Sequence, residues 1–297
     1  VFKALILGAA AGGGLPQWNC GCENCNLARD GKIPASTQSS LAVTTDGVSW
    51  VILNASPDIR AQLAANPALH PRSLRDTPIA GVLLTNGDID HVAGLLSLRE
   101  QQPFALYATG EIHGVLADNP LMQAVDPARV PRVAIALNQP VPLLPGLTAT
   151  LFAVPGKVPL YLEGETVQTD LEGEQTTGVH LQAEGRNIFY IPGCAAVTDR
   201  LAERLRGADM VFFDGTLWRD DEMITMGLSQ KTGRRMGHIS MSGSDGSIAA
   251  LRDLGIGRKI YVHMNNSNPV LRPDASERAE AESAGWTIGQ DGMEITA

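Results

Sequence analysis

The sequence predicts a layered α/β fold. Two observations carry this: short β-branched and apolar segments, ended by Gly, Pro, Asn or Asp, recur along the whole chain, and helical patterns fall between them. A third observation, the absence of any linker or low-complexity tract, makes residues 1–297 one domain. With 44% hydrophobic residues, the 297-residue chain has ample material for a large buried core.

Along the chain, strands are expected at Phe2–Leu7, Ser40–Thr45, Trp50–Asn54, Gly81–Thr85, Ala105–Ala108, Arg132–Leu137 and Leu147–Val154. Further strands follow at Gly178–Ala183, Asn187–Ile191, Met210–Phe213 and Lys259–His263. Helices are expected near Pro57–Ala65, Ala93–Glu100, Asp199–Arg206, Ser244–Leu254 and Asp274–Ala284. The opening segment has features of a signal peptide, but its apolar stretch is short and Lys3 is its only positive flank. It runs straight into Gly12–Gly14 and a cysteine cluster, so a strand ending in a glycine turn and a cytoplasmic address are expected.

Two segments break the rhythm. Residues 156–177 have no clear periodicity and carry Glu163, Glu165, Asp170, Glu172 and Glu174; residues 218–237 mix acids with Lys231, Arg234 and Arg235. Loops this long are either functional lids or disordered.

The net charge of −9 argues against nucleic acid or an anionic membrane as the main partner, since both need a basic face. An acidic substrate would need a local cluster of Arg and Lys. No apolar run approaches the roughly 18–20 residues of a membrane span.

Cys20, Cys22 and Cys25 lie within six residues, too close to bridge one another without strain. Three thiolates on one turn can occupy three corners of a tetrahedron around zinc at roughly 2.3 Å each. Three unligated thiols are the plainer alternative. A fourth ligand must come from elsewhere, and Cys194 is a candidate by element alone.

The strand at Gly81 runs into Asn86-Gly-Asp88-Ile-Asp90-His91-Val-Ala-Gly94. Adjacent side chains on a strand point to opposite faces, so Asp90 and His91 can share a metal only from an irregular turn beyond it. A histidine held by a neighbouring carboxylate is an equally common reading of such a pair. For His70, His113 and His180 the plain reading is surface or core histidine.

This segment resembles the metallo-β-lactamase superfamily loop T-H-x-H-x-D-H-x-x-G. Thr85, Asp90, His91 and Gly94 match, and Asn86 and Asp88 stand at the two remaining histidines. Leu53–Asp58, Met210–Thr216 with Gly237-His238, Lys259–His263 and Asp291–Ile295 fit other stretches of that superfamily in order. Gly12–Cys20, Asn54–Leu63, Gly215–Met223, Thr232–His238 and His263–Pro269 are similar to the family of pyrroloquinoline quinone (PQQ) biosynthesis B proteins.

The resemblance implies an αββα sandwich of two packed mixed sheets flanked by helices, with metal at one edge. It also implies that the two-zinc site is dismantled. Neither Val154–Lys157 nor Pro192–Cys194 supplies the expected third histidine or bridging aspartate. Asp90, His91 and His263 remain, a two-histidine, one-carboxylate set of the kind that holds non-haem iron(II). Asp214 and His238 form a supporting pair able to move protons, and Asp88 and Asn86 join them as catalytic candidates. By the same resemblance Asn266 is the candidate fourth ligand of the cysteine knot.

The implied cofactors are structural Zn2+ and catalytic Fe2+. The implied role is in PQQ biosynthesis: hydroxylation of the tyrosine-derived ring of a Glu-Tyr precursor. The alternatives are a carrier helping PQQ or its precursor to the periplasm, and a one-metal hydrolase. Expected partners are that small molecule and other proteins of the pathway. Arg60, Lys231, Arg234 and Arg235 are the candidates for holding its carboxylates.

Overall fold

The computed structural model describes residues 1–297. Fourteen strands form two seven-stranded sheets. In chain order they are β1 Lys3–Gly8, β2 Ser40–Thr44, β3 Trp50–Leu53, β4 Ile79–Leu83, β5 Ala105–Ala108, β6 Arg132–Ala134, β7 Pro140–Leu144, β8 Leu147–Ala153, β9 Thr177–Ala183, β10 Arg186–Ile191, β11 Met210–Asp214, β12 Arg258–Val262, β13 Trp286–Ile288 and β14 Glu294–Thr296. The first sheet runs β14-β1-β2-β3-β4-β5-β6 and the second β13-β12-β11-β10-β9-β8-β7.

Strands of the first sheet are apolar on both sides because both sides are covered. Ala4 and Ile6 of β1, Val51 and Leu53 of β3 and Leu83 of β4 point into the core between the sheets. Their neighbours Leu5, Leu7, Trp50, Ile52 and Val82 point out, beneath Ile59, Ile112 and Leu116 of the outer helices. The two-residue period thus feeds two hydrophobic layers from one strand. On the second sheet, Leu201 and Leu205 of the helix Asp199–Leu205 complete the core from outside.

Three strands that sequence patterning does not reveal are short or at sheet edges. β7 begins and continues with prolines, Pro140 and Pro142, which suit an edge strand that needs no full hydrogen-bond ladder. β13 and β14 have only three residues each, too few for a periodic signal, and close the opposite edge of each sheet. The expected helix Ala93–Glu100 is a 3-10 segment, Ala93–Leu98, preceded by an α-turn at Ile89–Val92. The expected helix Ser244–Leu254 contracts to Ser247–Ala250.

Parallel pairing sets the position of the site. β3, β4, β5 and β6 run parallel in one sheet, and β10, β11, β12 and β13 in the other. Their carboxyl ends share one edge of the sandwich, where the metal loop, Asp214 and His263 all emerge. No helix is long and apolar enough to cross a membrane.

Candidate metal centre

The loop after β4 is fixed before it reaches its ligands. Asn54, at the end of β3, adopts a left-handed backbone with φ of 65°, which asparagine tolerates better than most residues. Its Oδ1 accepts from Thr85 N at 2.9 Å, and its Nδ2 donates to Thr85 Oγ1 at 2.9 Å. Ala55 N donates to His91 O at 2.8 Å and Gly94 N to Ala55 O at 2.9 Å, so the two strand ends grip the loop from both sides. A Cβ at Gly94 would lie 2.1 Å from Ser56 O, which is why glycine is needed there.

Asp90 and His91 sit within the α-turn Ile89–Val92, not on the irregular turn expected ahead of a later helix. Successive helical residues are rotated by about 100°, which lets neighbouring side chains converge where strand neighbours cannot. Asp90 Oδ2 is 3.1 Å from His263 Nε2 and 3.7 Å from His91 Nε2. His263 follows β12 with a left-handed φ of 57°, strain that turns its ring toward the first sheet.

Three ligand atoms around one ion at about 2.1 Å lie roughly 3.0–3.5 Å apart. The observed spacings fit a metal held by Asp90, His91 and His263, whose ligand atoms all lie within 4.8 Å. His91 Nε2 gives a second, independent sign: it is buried and has no hydrogen-bond partner in the protein. Its other nitrogen, Nδ1, donates to Asn86 Oδ1 at 2.7 Å, which leaves the Nε2 lone pair directed at the cluster. Burial and the neighbouring imidazoles push His91 down to about 4, keeping it neutral against the pull of Asp90. Burial would raise the Asp90 carboxyl, but His91 and His263 outweigh it and hold it well below the usual range. For His263, burial is outweighed by Asp90 and the shift is upward.

Asp214, fully buried at the end of β11, has no lone pair left for a metal. Its Oδ1 accepts from Thr216 N at 3.0 Å and Thr216 Oγ1 at 2.6 Å; its Oδ2 accepts from Cys194 N at 2.9 Å and His238 Nδ1 at 2.7 Å. Thr216 Oγ1 in turn accepts from His263 Nδ1 at 2.9 Å. One carboxylate therefore orients two imidazoles, His238 directly and His263 through Thr216. The His238 and His263 rings lie 5.2 Å apart at 24°. Burial raises the Asp214 carboxyl, and the charge of His238 and its hydrogen bond more than reverse this.

Asp90, His91, Thr216, His238 and His263 face a cavity of about 320 Å³ lined also by Asp88, Lys157, Glu163, Lys231 and Arg235. Asp88 is half-buried near Asp90, and desolvation followed by that neighbouring charge raises its carboxyl. After Lys157, residues 158–166 form a strap with a 3-10 turn at Leu160–Leu162, and Leu160 and Glu163 of it line the cavity. Tyr161 donates to Gly87 O at 2.6 Å, and Leu160 N to Asp88 Oδ1 at 3.3 Å. Residues 218–237 contain short helices at Glu222–Thr225 and Gly233–Met236, and the second carries Arg235 into the cavity wall.

Several expected residues lie elsewhere or act differently. Arg60 is exposed on the helix Ile59–Ala65 and does not line the cavity. Arg234 points outward and pairs with Asp245, because one residue along the helix turns its side chain away from Arg235. Asn86 is a catalytic candidate by sequence, but its carbonyl oxygen is engaged with His91, so it positions that ring. The thiol of Cys194 donates to Ala196 O at 3.1 Å behind the site, not at the cysteine knot. His70, His113 and His180 each bond a nearby oxygen: Ala64 O, Val133 O and Asn187 Oδ1.

Sequence reading missed Thr216 and Lys157. Thr216 falls within the stretch Met210–Thr216, but a hydroxyl bridging two side chains from different strands has no sequence signature. Lys157 falls within Val154–Lys157, whose one sequence signal is the lack of a histidine.

The cysteine knot stands on the far side of His263. Cys20, Cys22 and Cys25 have sulfurs within 4.8 Å of one another, and the Asn266 amide tip lies 3.2, 3.5 and 3.3 Å from them. A zinc tetrahedron with three sulfurs and one oxygen has edges of about 3.6 Å between them, so the four positions fit. Rotating the amide would present Oδ1 to the ion. Asn24 Nδ2 donates to Asn266 O and Asn268 O at 2.9 Å each, tying the knot to the segment after His263.

A family model described as a β-lactamase superfamily domain matches residues 49–264. Coenzyme PQQ synthesis protein B of Rhizobium meliloti is 57% identical across 99% of this chain and 97% of its own length. That of Ruegeria pomeroyi is 58% identical across 99% of both. This chain belongs to the coenzyme PQQ synthesis protein B family. Among solved structures, zinc-bound PqqB from Methylobacterium extorquens superposes with a TM-score of 0.98 at 53% identity, covering 99% of this chain and 100% of that one. A diphosphatase of the PhnP family, 18% identical with a TM-score of 0.72 over 99% of this chain and 96% of its own, shares the fold. The expected metallo-β-lactamase sandwich is thus the fold of this PQQ synthesis B family member.

Proposed function

We propose that this protein is a metal-dependent enzyme of PQQ biosynthesis, acting in the cytoplasm as an oxygenase on the tyrosine-derived ring of a Glu-Tyr precursor. The names of its relatives support the pathway. The observation that carries the reaction class is the Asp90–His91–His263 set, two imidazoles and one carboxylate with Asn86 withdrawn onto His91. Iron(II) held there would supply dioxygen activation, which a two-histidine, one-carboxylate set suits by leaving coordination positions open. Three neighbouring unpaired thiols are in keeping with a reducing compartment.

The chain's own residues do the rest. Asn86 and Thr216 fix the ring nitrogens that His91 and His263 present. His238, with Nδ1 committed to Asp214, keeps Nε2 for taking the proton of a phenol in the cavity. Lys231, Arg235 and Lys157 supply cations for the substrate's carboxylates. Leu160 and Glu163 of the strap form part of the cavity wall. Converting one aryl C–H to C–OH consumes one dioxygen, two electrons and two protons and releases one water, so an ene-diol or thiol reductant must be added.

The test is anaerobic iron loading with metal analysis, then oxygen uptake with a hydroxylated-tyrosine dipeptide and ascorbate. Uptake that depends on the dipeptide and disappears in His91→Ala and His263→Ala supports the reading. No uptake, or uptake indifferent to both substitutions, overturns it. Binding without turnover would then favour a carrier, and hydrolysis by the zinc form a one-metal hydrolase.

A further inference from the structure

The strap places a carboxylate of the chain itself in the cationic end of the cavity. Glu163 Oε1 accepts from Lys157 Nζ at 2.9 Å and Glu163 Oε2 from an Arg235 guanidinium nitrogen at 3.0 Å. A second Arg235 nitrogen reaches Oε1 at 3.5 Å, so the guanidinium grips both oxygens. This is the fork that an ammonium and a guanidinium offer to any carboxylate. Lys231 lines the same cavity and makes no ion pair. The cavity thus holds three cations, two of them paired with Glu163, and Asp88 lies near enough to Lys157 to feel its charge.

The strap around Glu163 is built to move cheaply. Glu163 has 8% of its side chain exposed, whereas Leu160, Tyr161 and Leu162 are 59%, 50% and 49% exposed. From residue 160 to 166 every other residue is exposed. The strap is thus held by polar contacts and this ion cluster, and lifting it uncovers no apolar core.

We propose that Lys157, Lys231 and Arg235 form a carboxylate-binding subsite whose resident occupant is Glu163. A ligand carrying two or more carboxylates displaces Glu163 with one of them and pairs another with Lys231. Exchange of one carboxylate for another preserves the charge balance on the two cations, so the displaced strap leaves no buried charge unpaired. This rests on the cavity being the substrate site of the proposed function, and not on its reaction.

The experiment is calorimetric titration, without turnover, of the metal-loaded protein with acetate, glutarate and propane-1,2,3-tricarboxylate. In the unmodified protein affinity rises from the mono- to the di- to the tricarboxylate. Glu163→Gln, which removes the competing charge at constant size, tightens the tricarboxylate by about five-fold or more, and Lys157→Met weakens it by about ten-fold or more. Equal affinity for all three acids in the unmodified protein overturns the subsite. So does unchanged or weaker tricarboxylate binding by folded Glu163→Gln, which would make Glu163 a fixed strap. Because no oxygen is consumed, failure here leaves the oxygenase reading standing, and failed oxygen uptake leaves the subsite standing.

Discussion

Asn86 Oδ1 accepts from His91 Nδ1 at 2.7 Å, so the residue that stands at a superfamily histidine serves as the brace of the next one. The bond determines which nitrogen of His91 carries the proton and therefore which one meets a metal. Replacing Asn86 by Ala frees the ring to turn and to change tautomer. Metal affinity at Asp90–His91–His263 should fall by about 10- to 100-fold, the usual cost of losing such a partner. Chelator competition on the Asn86→Ala protein measures it. The zinc knot, which shares no ligand with that set, should retain its metal.

Gly94 is a second position where backbone contact decides the site. A Cβ there meets Ser56 O at 2.1 Å and Ala55 O at 2.7 Å, both unyielding backbone atoms. Gly94→Ala must push the α-turn bearing Asp90 and His91 away from the end of β3. The expected loss is on the order of 1–3 kcal/mol of stability, as for other overpacked sites. Urea unfolding would show it, together with weaker metal binding at Asp90–His91–His263.

The Glu163 cluster should give the stability curve a recognisable acid dependence. Arg235 and then Lys157 hold the Glu163 carboxyl at about 2, against the upward push of burial and below its ordinary 4.5. A depressed carboxyl stabilises the fold fully above its unfolded value and loses that contribution as pH falls toward the folded one. The melting temperature of the unmodified protein should therefore exceed that of Glu163→Gln by a constant margin from pH 8 to about 5. The margin should shrink from about pH 4.5 downward, as protonation of the unfolded chain begins to match the substitution. A margin that persists unchanged to pH 3 would place the stabilising effect outside the ion cluster.

The knot and the catalytic set should be coupled through residues 263–266. Burial pushes the Cys22 thiol up to about 11, so its thiolate form gains from a cation at this turn. Cys22→Ser or Asn266→Ala should release zinc to a colorimetric chelator at lower concentrations than the unmodified protein requires. Because Asn24 clamps Asn266 O, loss of knot metal should also loosen His263 and weaken metal at the other site several-fold. Independent occupancy of the two sites would show that the segment between them is rigid without zinc.

Apolar and β-branched content bounded by Gly, Pro, Asn or Asp is written locally, and so β1, β3, β4 and β11 were recognisable from their own residues. β13 and β14 were not, because three residues carry no period and their pairing partners lie far along the chain. The three cysteines could be read as a group because they are close in sequence. Their meeting with Asn266 could be expected only by resemblance, since about 240 residues separate them. Arg234 and Arg235 are equivalent as letters, and only the helical turn at Gly233–Met236 sends one inward and the other to Asp245.

By itself the sequence determined the layered α/β class and the cysteine group, which are properties of residue identity and short spacing, and its resemblance to the superfamily loop marked the ligand set and the departures at Asn86 and Asp88. The tertiary structure decided what the departures do. It put Asn86 on His91, joined Asp214 to His238 directly and to His263 through Thr216, and set Glu163 between Lys157 and Arg235. Asn86 meets His91 within one loop, whereas the Asp214–His238, Thr216–His263 and Glu163–Arg235 contacts join strand ends and loops from different parts of the chain. Hydrogen-bond geometry of that kind exists only once parallel strands bring their carboxyl ends to one edge.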